Sequence, residues 1–353
     1  VTGVLTCALP ISANGQNGKK LTTCILTDIK NGFHILQKRN PQKKISSVVI
    51  AGNTVMMHLL RGYSCLGFTK YPFTKISLDM EELSFAKLLS QADDVKAEAV
   101  KSDIEDISVT ILPGISAFVG ADITAGIFVC DMIKAGQISL LLDLGTNGEM
   151  ALRTNTGIYV TSTAAGPAFE GGNIRWGMGS VDRAIPNAKF MNRRLTVRTI
   201  GEKKPGGICG TGVIEIVAEL LQAGIIDSNG KLKEPYFKTG YPLAENAQGE
   251  KIYLTQADIR EIQMAKAAVR AGIEVLCMRA GVTYQQIEQV YLAGGFGYYL
   301  DVKKAAVIGI LPQELVEKTT AAGNTALGGA LQYLETPEKK ALKIGRASCR
   351  ERV

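Results

Sequence analysis

The stretch that decides the fold of this 353-residue chain is Leu140-Leu141-Leu142-Asp143-Leu144-Gly145-Thr146-Asn147-Gly148-Glu149-Met150-Ala151-Leu152. Two apolar runs flank a turn that carries an acid and two glycines, and this pattern predicts a β-hairpin. Glycines let a backbone pass close to an anion with its N–H groups directed inward. An ordinary hairpin uses an Asn-Gly pair for a left-handed turn, so these residues alone fit both a phosphate site and a plain turn.

The hairpin supplies five candidate ligands of a nucleotide. We predict that Asp143, at the end of the first strand, holds a Mg²⁺ ion through water. The backbone of Gly145 and Gly148 and the side chains of Thr146 and Asn147 are predicted to bind the phosphates.

A second glycine-rich turn favours the nucleotide interpretation. The apolar run from Val290 to Ala293 leads into Gly294, Gly295 and Gly297. Because a nucleotide needs bare backbone where its base and ribose lie, these glycines are predicted to bind the adenosine part. The spacing matches neither the Rossmann nor the Walker pattern, so we expect a nucleotide cleft of another type.

A third turn, Gly52-Asn53-Thr54, follows a predicted strand from Val48 to Ala51 and precedes a predicted helix from Val55 to Leu60. A strand–turn–helix arrangement suits an anion or an interdomain contact. We therefore include these three residues among the predicted cofactor-binding residues.

The motifs in this order resemble the ASKHA superfamily of ATPases, which contains acetate and sugar kinases, heat-shock chaperones and actin. More closely, the chain resembles the reductive activators of corrinoid proteins, in which a ferredoxin-type iron–sulfur domain is joined to such an ATPase module. The similarity runs from about Lys20 to about Glu335. The segments that carry it, besides Gly120-Ala121-Asp122 and the hairpin, are Val49–Leu60, Thr163–Gly171, Gly207–Gly212, Asp258–Lys266 and Ala293–Gly297.

The resemblance implies an α/β fold of the actin-like, ribonuclease H-like type: a two-lobe ATPase that uses ATP and Mg²⁺. Its implied activity is the ATP-dependent reduction of an inactive Co(II) corrinoid to Co(I). The implied partners are a corrinoid protein or a corrinoid-dependent methyltransferase and an electron donor, and a homodimer is also compatible with the family.

The resemblance also implies a role for Asp122. In sugar kinases of the superfamily, an aspartate in a glycine-acid pair before the second phosphate hairpin is the general base, and Asp122 matches that place. It would orient or deprotonate the water that attacks the terminal phosphate. A helix N-terminal cap explains Asp122 equally well, so both interpretations stay open.

The predicted organisation has four segments. Residues 1–12 and 344–353 are interpreted as translated sequencing adapters, residues 13–135 as an incomplete first lobe, and residues 136–343 as the second lobe with the phosphate hairpin and the adenosine motif. The family's first phosphate hairpin and its iron–sulfur domain are absent from this sequence, so we expect them upstream. A first lobe truncated at its N-terminus is expected to bind nucleotide poorly.

Composition narrows the function classes. The formal net charge of +7 is modest, and aromatic residues are not interleaved with the basic residues. We therefore expect no nucleic-acid partner. No apolar run has the length of a membrane span, and we expect a cytoplasmic protein without a membrane partner. Outside the predicted adapters the cysteines are isolated in the sequence. Scattered thiols suit a reducing compartment. They lack the spacing of cluster ligands, so an iron–sulfur cluster is expected only in the missing domain. These cysteines are Cys24, Cys65, Cys130, Cys209 and Cys277.

Several elements follow from local patterns. Thr255 to Arg279 is predicted as a helix with a Thr255–Asp258 capping box, and Leu78 to Val100 as a helix followed by a charged linker. The glycine-dense segment from Ser162 to Ser180, which carries Glu170, Arg175 and Trp176, is predicted to be a functional loop. His58, on an apolar helix, is interpreted as a hydrogen-bonded structural histidine.

Two other function classes remain. A metabolite kinase of the same superfamily would need a polar pocket for its acceptor, and no acceptor motif is recognisable. An actin-like assembly protein would use the nucleotide as a switch. The segment from Ser162 to Ser180 matches the activators and gives no reason to expect a filament.

Overall fold

The computed structural model describes residues 15–92, 104–133, 136–297, 299–336 and 349–351. It confirms the predicted α/β class. The helices are α1 (Gly15–Arg39), α2 (Thr54–Leu60), α3 (Phe85–Leu89), α4 (Ala121–Val129), α5 (Gly210–Gln222), α6 (Tyr236–Thr239), α7 (Gln256–Ala280), α8 (Gly294–Gly297), α9 (Val302–Val307) and α10 (Thr325–Glu335). Short 3₁₀ helices lie at Leu66–Phe68, Pro167–Glu170, Ile200–Glu202, Tyr284–Gln286 and Gln313–Lys318.

The strands form one small sheet, one large sheet and three two-stranded pairs. The small sheet has the order β1-β3-β2, the large one β14-β13-β4-β5-β6-β15, and the pairs are β7-β10, β8-β9 and β11-β12. The strands are β1 (Ser47–Ile50), β2 (Glu81–Ser84), β3 (Ser108–Ile111), β4 (Ser139–Leu144), β5 (Gly148–Thr154), β6 (Gly157–Thr163), β7 (Ala184–Ile185), β8 (Asn187–Met191), β9 (Arg194–Arg198), β10 (Gly207–Ile208), β11 (Tyr241–Glu245), β12 (Lys251–Leu254), β13 (Gln289–Ala293), β14 (Thr319–Gly323) and β15 (Cys349–Glu351).

Contacts divide the described residues into two compact units. Unit 1 contains Gly136–Asn155 and Ser162–Gly323, and unit 2 contains the residues before Gly136, Thr156–Thr161 and the residues from Asn324 onward. The predicted lobe bounds, 13–135 and 136–343, stay a prediction. Helix α10, which the prediction places in the second lobe, packs on α4 within unit 2. Of the predicted adapters, the structure describes only β15, which pairs in parallel with β6; the rest lies outside the described residues.

The predicted hairpin is confirmed. Strands β4 and β5 pair antiparallel from Ser139↔Arg153 to Leu144↔Gly148. Leu140, Leu141 and Leu142 are almost fully buried, which places this apolar run in the core of unit 1. Their burial on a central strand explains why the sequence is continuously apolar there and not alternating.

Helix α7 is also confirmed, with Thr255 as its N-cap and a complete capping box with Asp258. The N–H of Asp258 donates to the Thr255 hydroxyl, and the Thr255 N–H donates to the Asp258 carboxylate at 2.8 Å. Gly281 ends the helix with φ +67°, the left-handed conformation expected of a glycine C-cap. The predicted apolar face, Ile259, Ile262, Val269, Ile273 and Leu276, is buried.

Two predicted elements differ from the structure. The sequence predicts a helix that begins near Leu78. Instead, Glu81–Ser84 forms strand β2, which pairs antiparallel with β3, and only Phe85–Leu89 is helical. Residues 93–103 lie outside the described residues. Pairing with β3 overrides the local preference of Glu81–Ser84. The sequence from Ile115 to Ile127 also predicts the start of the helix that carries Asp122. Helix α4 begins only at Ala121, because the N–H groups of Ile115 and Ser116 bond to the Val119 carbonyl in a turn.

Within the described residues no helix is both long and apolar enough to cross a membrane.

The packing of α10 on α4 generates a stability prediction. A Cβ at Gly329 would lie 2.2 Å from the Ala125 carbonyl oxygen, whereas a Cβ at Gly328 would meet only the Val129 side chain, with Cγ2 at 3.4 Å. Gly329→Ala should therefore lower the free energy of unfolding by about 1–3 kcal/mol through overpacking. The matched control, Gly328→Ala, should raise it by about 0.5–1 kcal/mol, since alanine favours a helix interior. Urea unfolding of both variants measures the difference, and equal effects at the two positions would contradict this packing.

Candidate functional site

The turn of the β4–β5 hairpin does not use left-handed residues. The Gly145 N–H donates to the Asn147 carbonyl at 2.9 Å, and neither Gly145, Asn147 nor Gly148 has a positive φ. The type I′ Asn-Gly turn needs positive φ at its central residues. The plain-turn interpretation of these glycines is therefore wrong, and another reason for them is needed.

The space around the two glycines supplies that reason. A Cβ at Gly148 would lie 2.8 Å from the Thr163 hydroxyl oxygen, so Gly148 is required by packing. The nearest atom to a Cβ at Gly145 is Glu170 Oε1 at 3.7 Å, an ordinary contact. Neither turn conformation nor packing inside the protein requires glycine at 145. Its bare backbone leaves room for a ligand.

Strand β13 brings the second glycine motif to the hairpin. It pairs in parallel with β4, with Ala293 opposite Asp143. Gly294 has φ +89°, and a Cβ there would lie 2.7 Å from Asp143 Oδ1 and 2.7 Å from the Leu144 carbonyl oxygen. Gly294 is thus required by close approach of the two turns. A Cβ at Gly295 would meet nothing within 4 Å, and Gly297 ends the short helix α8.

Glu170 also reaches the hairpin, a contact that the sequence motifs do not predict. The Thr146 hydroxyl donates to Glu170 Oε2 at 2.6 Å, although 24 residues separate them. The only signal in the sequence was the density of glycine around Glu170. That pattern predicts a functional loop but does not indicate its contact with Thr146.

One buried carboxylate anchors the loop that follows Glu170. Asp258 is 2 % exposed, and its Oδ1 accepts the Arg175 N–H at 2.8 Å. Its Oδ2 accepts from both the N–H and the hydroxyl of Thr255 at 2.8 and 2.7 Å. Asp258 therefore ties the loop to the first turn of α7.

In unit 2 the structure joins the third predicted turn to the helix of Asp122. The Gly52 carbonyl accepts the N–H groups of Ala121 at 2.9 Å and Asp122 at 3.2 Å. A Cβ at Gly120 would lie only 2.5 Å from the Thr54 N atom, so this contact requires glycine. The two segments are held together by their backbones.

The side chains of this turn make structural hydrogen bonds within unit 2. Asn53 caps α2 by accepting the Met56 N–H at 2.9 Å, and the buried Thr54 hydroxyl donates to the Ser116 carbonyl at 2.9 Å. Their predicted cofactor-binding role stays a prediction. Their observed contacts fix the start of α2 and the turn that precedes α4.

Asp122 lies in the first turn of α4 and does not cap it, because Gly120 is the N-cap. Its Oδ1 accepts the Ile123 N–H at 2.9 Å. Burial raises the pKa of the Asp122 carboxyl, and hydrogen bonds with the backbone of Ile123, Asp122 and Gly120 partly oppose the rise. A raised pKa makes a carboxylate a stronger proton acceptor, as a general base requires.

His58 has the structural role expected of it. The ring is fully buried, its Nε2 accepts the Ile76 N–H at 3.2 Å, and its Nδ1 lies 2.8 Å from the Thr54 carbonyl oxygen. Because Nε2 accepts, Nδ1 carries the proton and donates to Thr54. Burial lowers the pKa of His58, which favours this neutral form.

Cys24, Cys65, Cys130, Cys209 and Cys277 are free thiols, and of these five only Cys24 is exposed. Burial raises the pKa of Cys65 to about 11, of Cys130 to about 12 and of Cys277 to about 11. Burial therefore keeps these three thiols protonated at neutral pH. In the part of the chain that the structure describes, no three His, Cys, Asp or Glu residues gather to hold a metal ion.

Two family models match the chain. Residues 4–135 match the RACo middle region, and residues 137–345 match the C-terminal domain of RACo, the ASKHA domain. The fold prediction of an ASKHA module is thereby confirmed.

Individual proteins agree with this match. The corrinoid activation enzyme RamQ of Eubacterium limosum is 31% identical over 321 residues, which cover 84% of this chain and 51% of that protein. A Co(II) methylated amine-specific corrinoid protein reductase of Methanosarcina barkeri is 31% identical over 253 residues, covering 65% of this chain and 45% of that protein.

A solved structure, a reductive activator for corrinoid, iron–sulfur protein, matches with a TM-score of 0.82 and 30% identity over 96% of this chain and 55% of that one. The chain thus spans about half the length of each of these relatives. Since the ASKHA-domain model alone covers more than half of the chain, the chain belongs to the RACo family.

Proposed function

We propose that the protein reductively activates a corrinoid protein at the expense of ATP. One electron from a low-potential donor converts Co(II) to Co(I), and water cleaves the terminal phosphate of ATP to give ADP and inorganic phosphate. The names of the relatives support the cobalt reaction, because one is a corrinoid activation enzyme and another a Co(II) corrinoid protein reductase.

The observation that most supports nucleotide binding is the bare backbone at Gly145. Its glycine is explained neither by φ nor by packing, and it lies in the turn beside Asp143. Gly294 approaches the same aspartate so closely that no side chain fits there. A glycine turn next to a carboxylate suits a phosphate chain with its cation, so the residues of unit 1 fit Mg-ATP.

Each residue has a proposed task. The backbone at Gly145 and Gly148 lies against the phosphates, which Asn147 helps to bind, and Asp143 holds the water shell of the magnesium ion. The ion, when bound, neutralises phosphate charge. Backbone at Gly294, Gly295 and Gly297 lies against the adenosine. By the family resemblance, Asp122 accepts a proton from the attacking water.

The proposed partners follow the family resemblance. They are a corrinoid protein or a corrinoid-dependent methyltransferase and an iron–sulfur electron donor of the ferredoxin type. We place the protein in the cytoplasm, where its free thiols stay reduced, and include a homodimer among its proposed states.

The first test is Co(I) formation from a Co(II) corrinoid partner with a low-potential donor, followed by absorbance with and without ATP in the full-length protein. Asp143→Ala should lower the ATP-dependent rate at least about 100-fold, the order of loss when one preorganised charged group is removed. Asp28→Ala, at an exposed position of α1, is the matched control and should leave the rate unchanged. ATP hydrolysis without any effect on cobalt across several partners would sink the corrinoid assignment.

Asp122 generates a second prediction with separate readouts for stability and for activity. Its pKa is raised in the fold, so the folded state favours the protonated carboxyl, and that stabilising contribution is lost as pH rises through the raised value. Asp122→Asn should therefore be more stable than the wild type at neutral pH. The difference should shrink as pH falls and disappear below about 3.9, the ordinary aspartate pKa.

The same substitution should lower ATP hydrolysis by about 10²- to 10⁴-fold if Asp122 is the base. Thermal unfolding across pH and a phosphate-release assay measure the two effects. Asp106→Asn, at an exposed position of the same unit, should change neither. An Asp122→Asn variant that hydrolyses ATP normally would remove Asp122 from the catalytic role.

A further inference from the structure

We propose that Glu170 is a positioning residue that turns the Thr146 hydroxyl, so that Thr146 Oγ1 offers a lone pair to the divalent cation and does not donate to a phosphate oxygen. The inference rests on the proposed function only in taking the β4–β5 hairpin as a nucleotide site. It changes the role predicted for Thr146 and adds one for Glu170.

The direction of the hydrogen bond carries the argument. A hydroxyl has one proton and two lone pairs, and a carboxylate can only accept. The Thr146 hydroxyl gives its proton to Glu170 Oε2 at 2.6 Å. Oγ1 then has lone pairs but no proton for a ligand. A hydroxyl in that state suits a hard cation, which prefers oxygen ligands, and repels a phosphate oxygen.

The position of Glu170 is built by the fold. It ends the 3₁₀ helix Pro167–Glu170, in which Ala168 and Phe169 are each 1 % exposed and anchor the turn in the core. The following residue, Gly171, has φ +82°, and a Cβ there would lie 2.9 Å from both the N and the O atom of Met178. Only glycine permits this exit, so the backbone that carries the Glu170 side chain is fixed on both sides.

The segment beyond Gly171 is fixed to α7 as well. The Arg175 N–H bonds to the buried Asp258, and Asn173 Nδ2 donates to Glu261 Oε2 at 3.3 Å. These contacts hold the backbone that carries Glu170 without touching Thr146. They also provide a control, since Glu261 contacts the same loop at a different point.

The charge of Glu170 supports the same assignment. Its Oε1 lies 3.7 Å from where a Cβ of Gly145 would be, so the carboxylate borders the open space beside that glycine. A carboxylate beside bare phosphates would repel them, whereas a carboxylate behind a cation ligand strengthens the ligand. Placing Glu170 there is favourable only when a cation accompanies the phosphates.

The test compares equilibrium binding of a fluorescent ATP analogue to the intact protein in excess Mg²⁺ and in excess EDTA. Thr146→Val and Glu170→Ala should each weaken binding in Mg²⁺ by about 10- to 100-fold, the usual cost of losing a residue that supports a metal site. In EDTA their affinity should equal that of the wild type. Thr146→Ser, which keeps the hydroxyl, should restore the Mg²⁺-dependent gain, and Glu261→Gln should retain it.

Each other outcome has a defined meaning. Equal losses in Mg²⁺ and EDTA would mean that Thr146 donates to a phosphate or that the turn has collapsed, and either overturns the inference. Wild-type affinity of both variants in Mg²⁺ overturns it too. No Mg²⁺-ATP binding by the wild type would overturn the nucleotide site and the inference together. Normal binding behaviour without cobalt reduction would refute the proposed function alone.

Discussion

The parallel pairing of β13 with β4 is the constraint on which unit 1 depends. It sets Ala293 level with Asp143, so the chain must leave β13 at the point where β4 enters its turn. Gly294 makes that exit with φ +89° and leaves no room for a Cβ against Asp143. Two segments about 150 residues apart thereby share one small volume, and a one-residue slip of the pairing would separate them.

Helix α7 extends this arrangement to the hairpin and the loop. A Cβ at Gly272 would lie 2.7 Å from Thr163 Cγ2, and one at Gly148 3.4 Å from Val269 Cγ2, so glycines on both sides allow helix and strand to approach. The first turn of the same helix carries Asp258, whose carboxylate accepts from Thr255 and Arg175. One helix thus supports the β4–β5 turn along its length and the Glu170 loop at its start.

Much of the fold follows from local sequence. The β4–β5 hairpin and α7 were predictable because continuous burial, a capping box and a terminal glycine leave clear signals over a few residues. Strand β2 was not, because Glu81–Ser84 has little strand preference and owes its conformation to β3.

The candidate site likewise combines motifs that the sequence predicts with contacts that it does not predict. The motifs of Asp143 and Gly294 are visible as glycine-rich turns after apolar runs. The contact of Glu170 with Thr146 and the contact of the Gly52 carbonyl with the N-terminus of α4 join residues 24 and about 70 positions apart. No local pattern specifies such pairings, since the intervening chain must fold before the partners meet.

The loop that carries Glu170 also contains Trp176, the only tryptophan of this chain. Its carbonyl accepts the Ile208 N–H at 2.7 Å, while its buried indole Nε1 has no hydrogen-bond partner among the described residues. Indole emission shifts with the polarity and hydrogen bonding around that nitrogen. The tryptophan fluorescence of the chain is therefore an optical signal from this one loop, with no label and no second indole to separate from it.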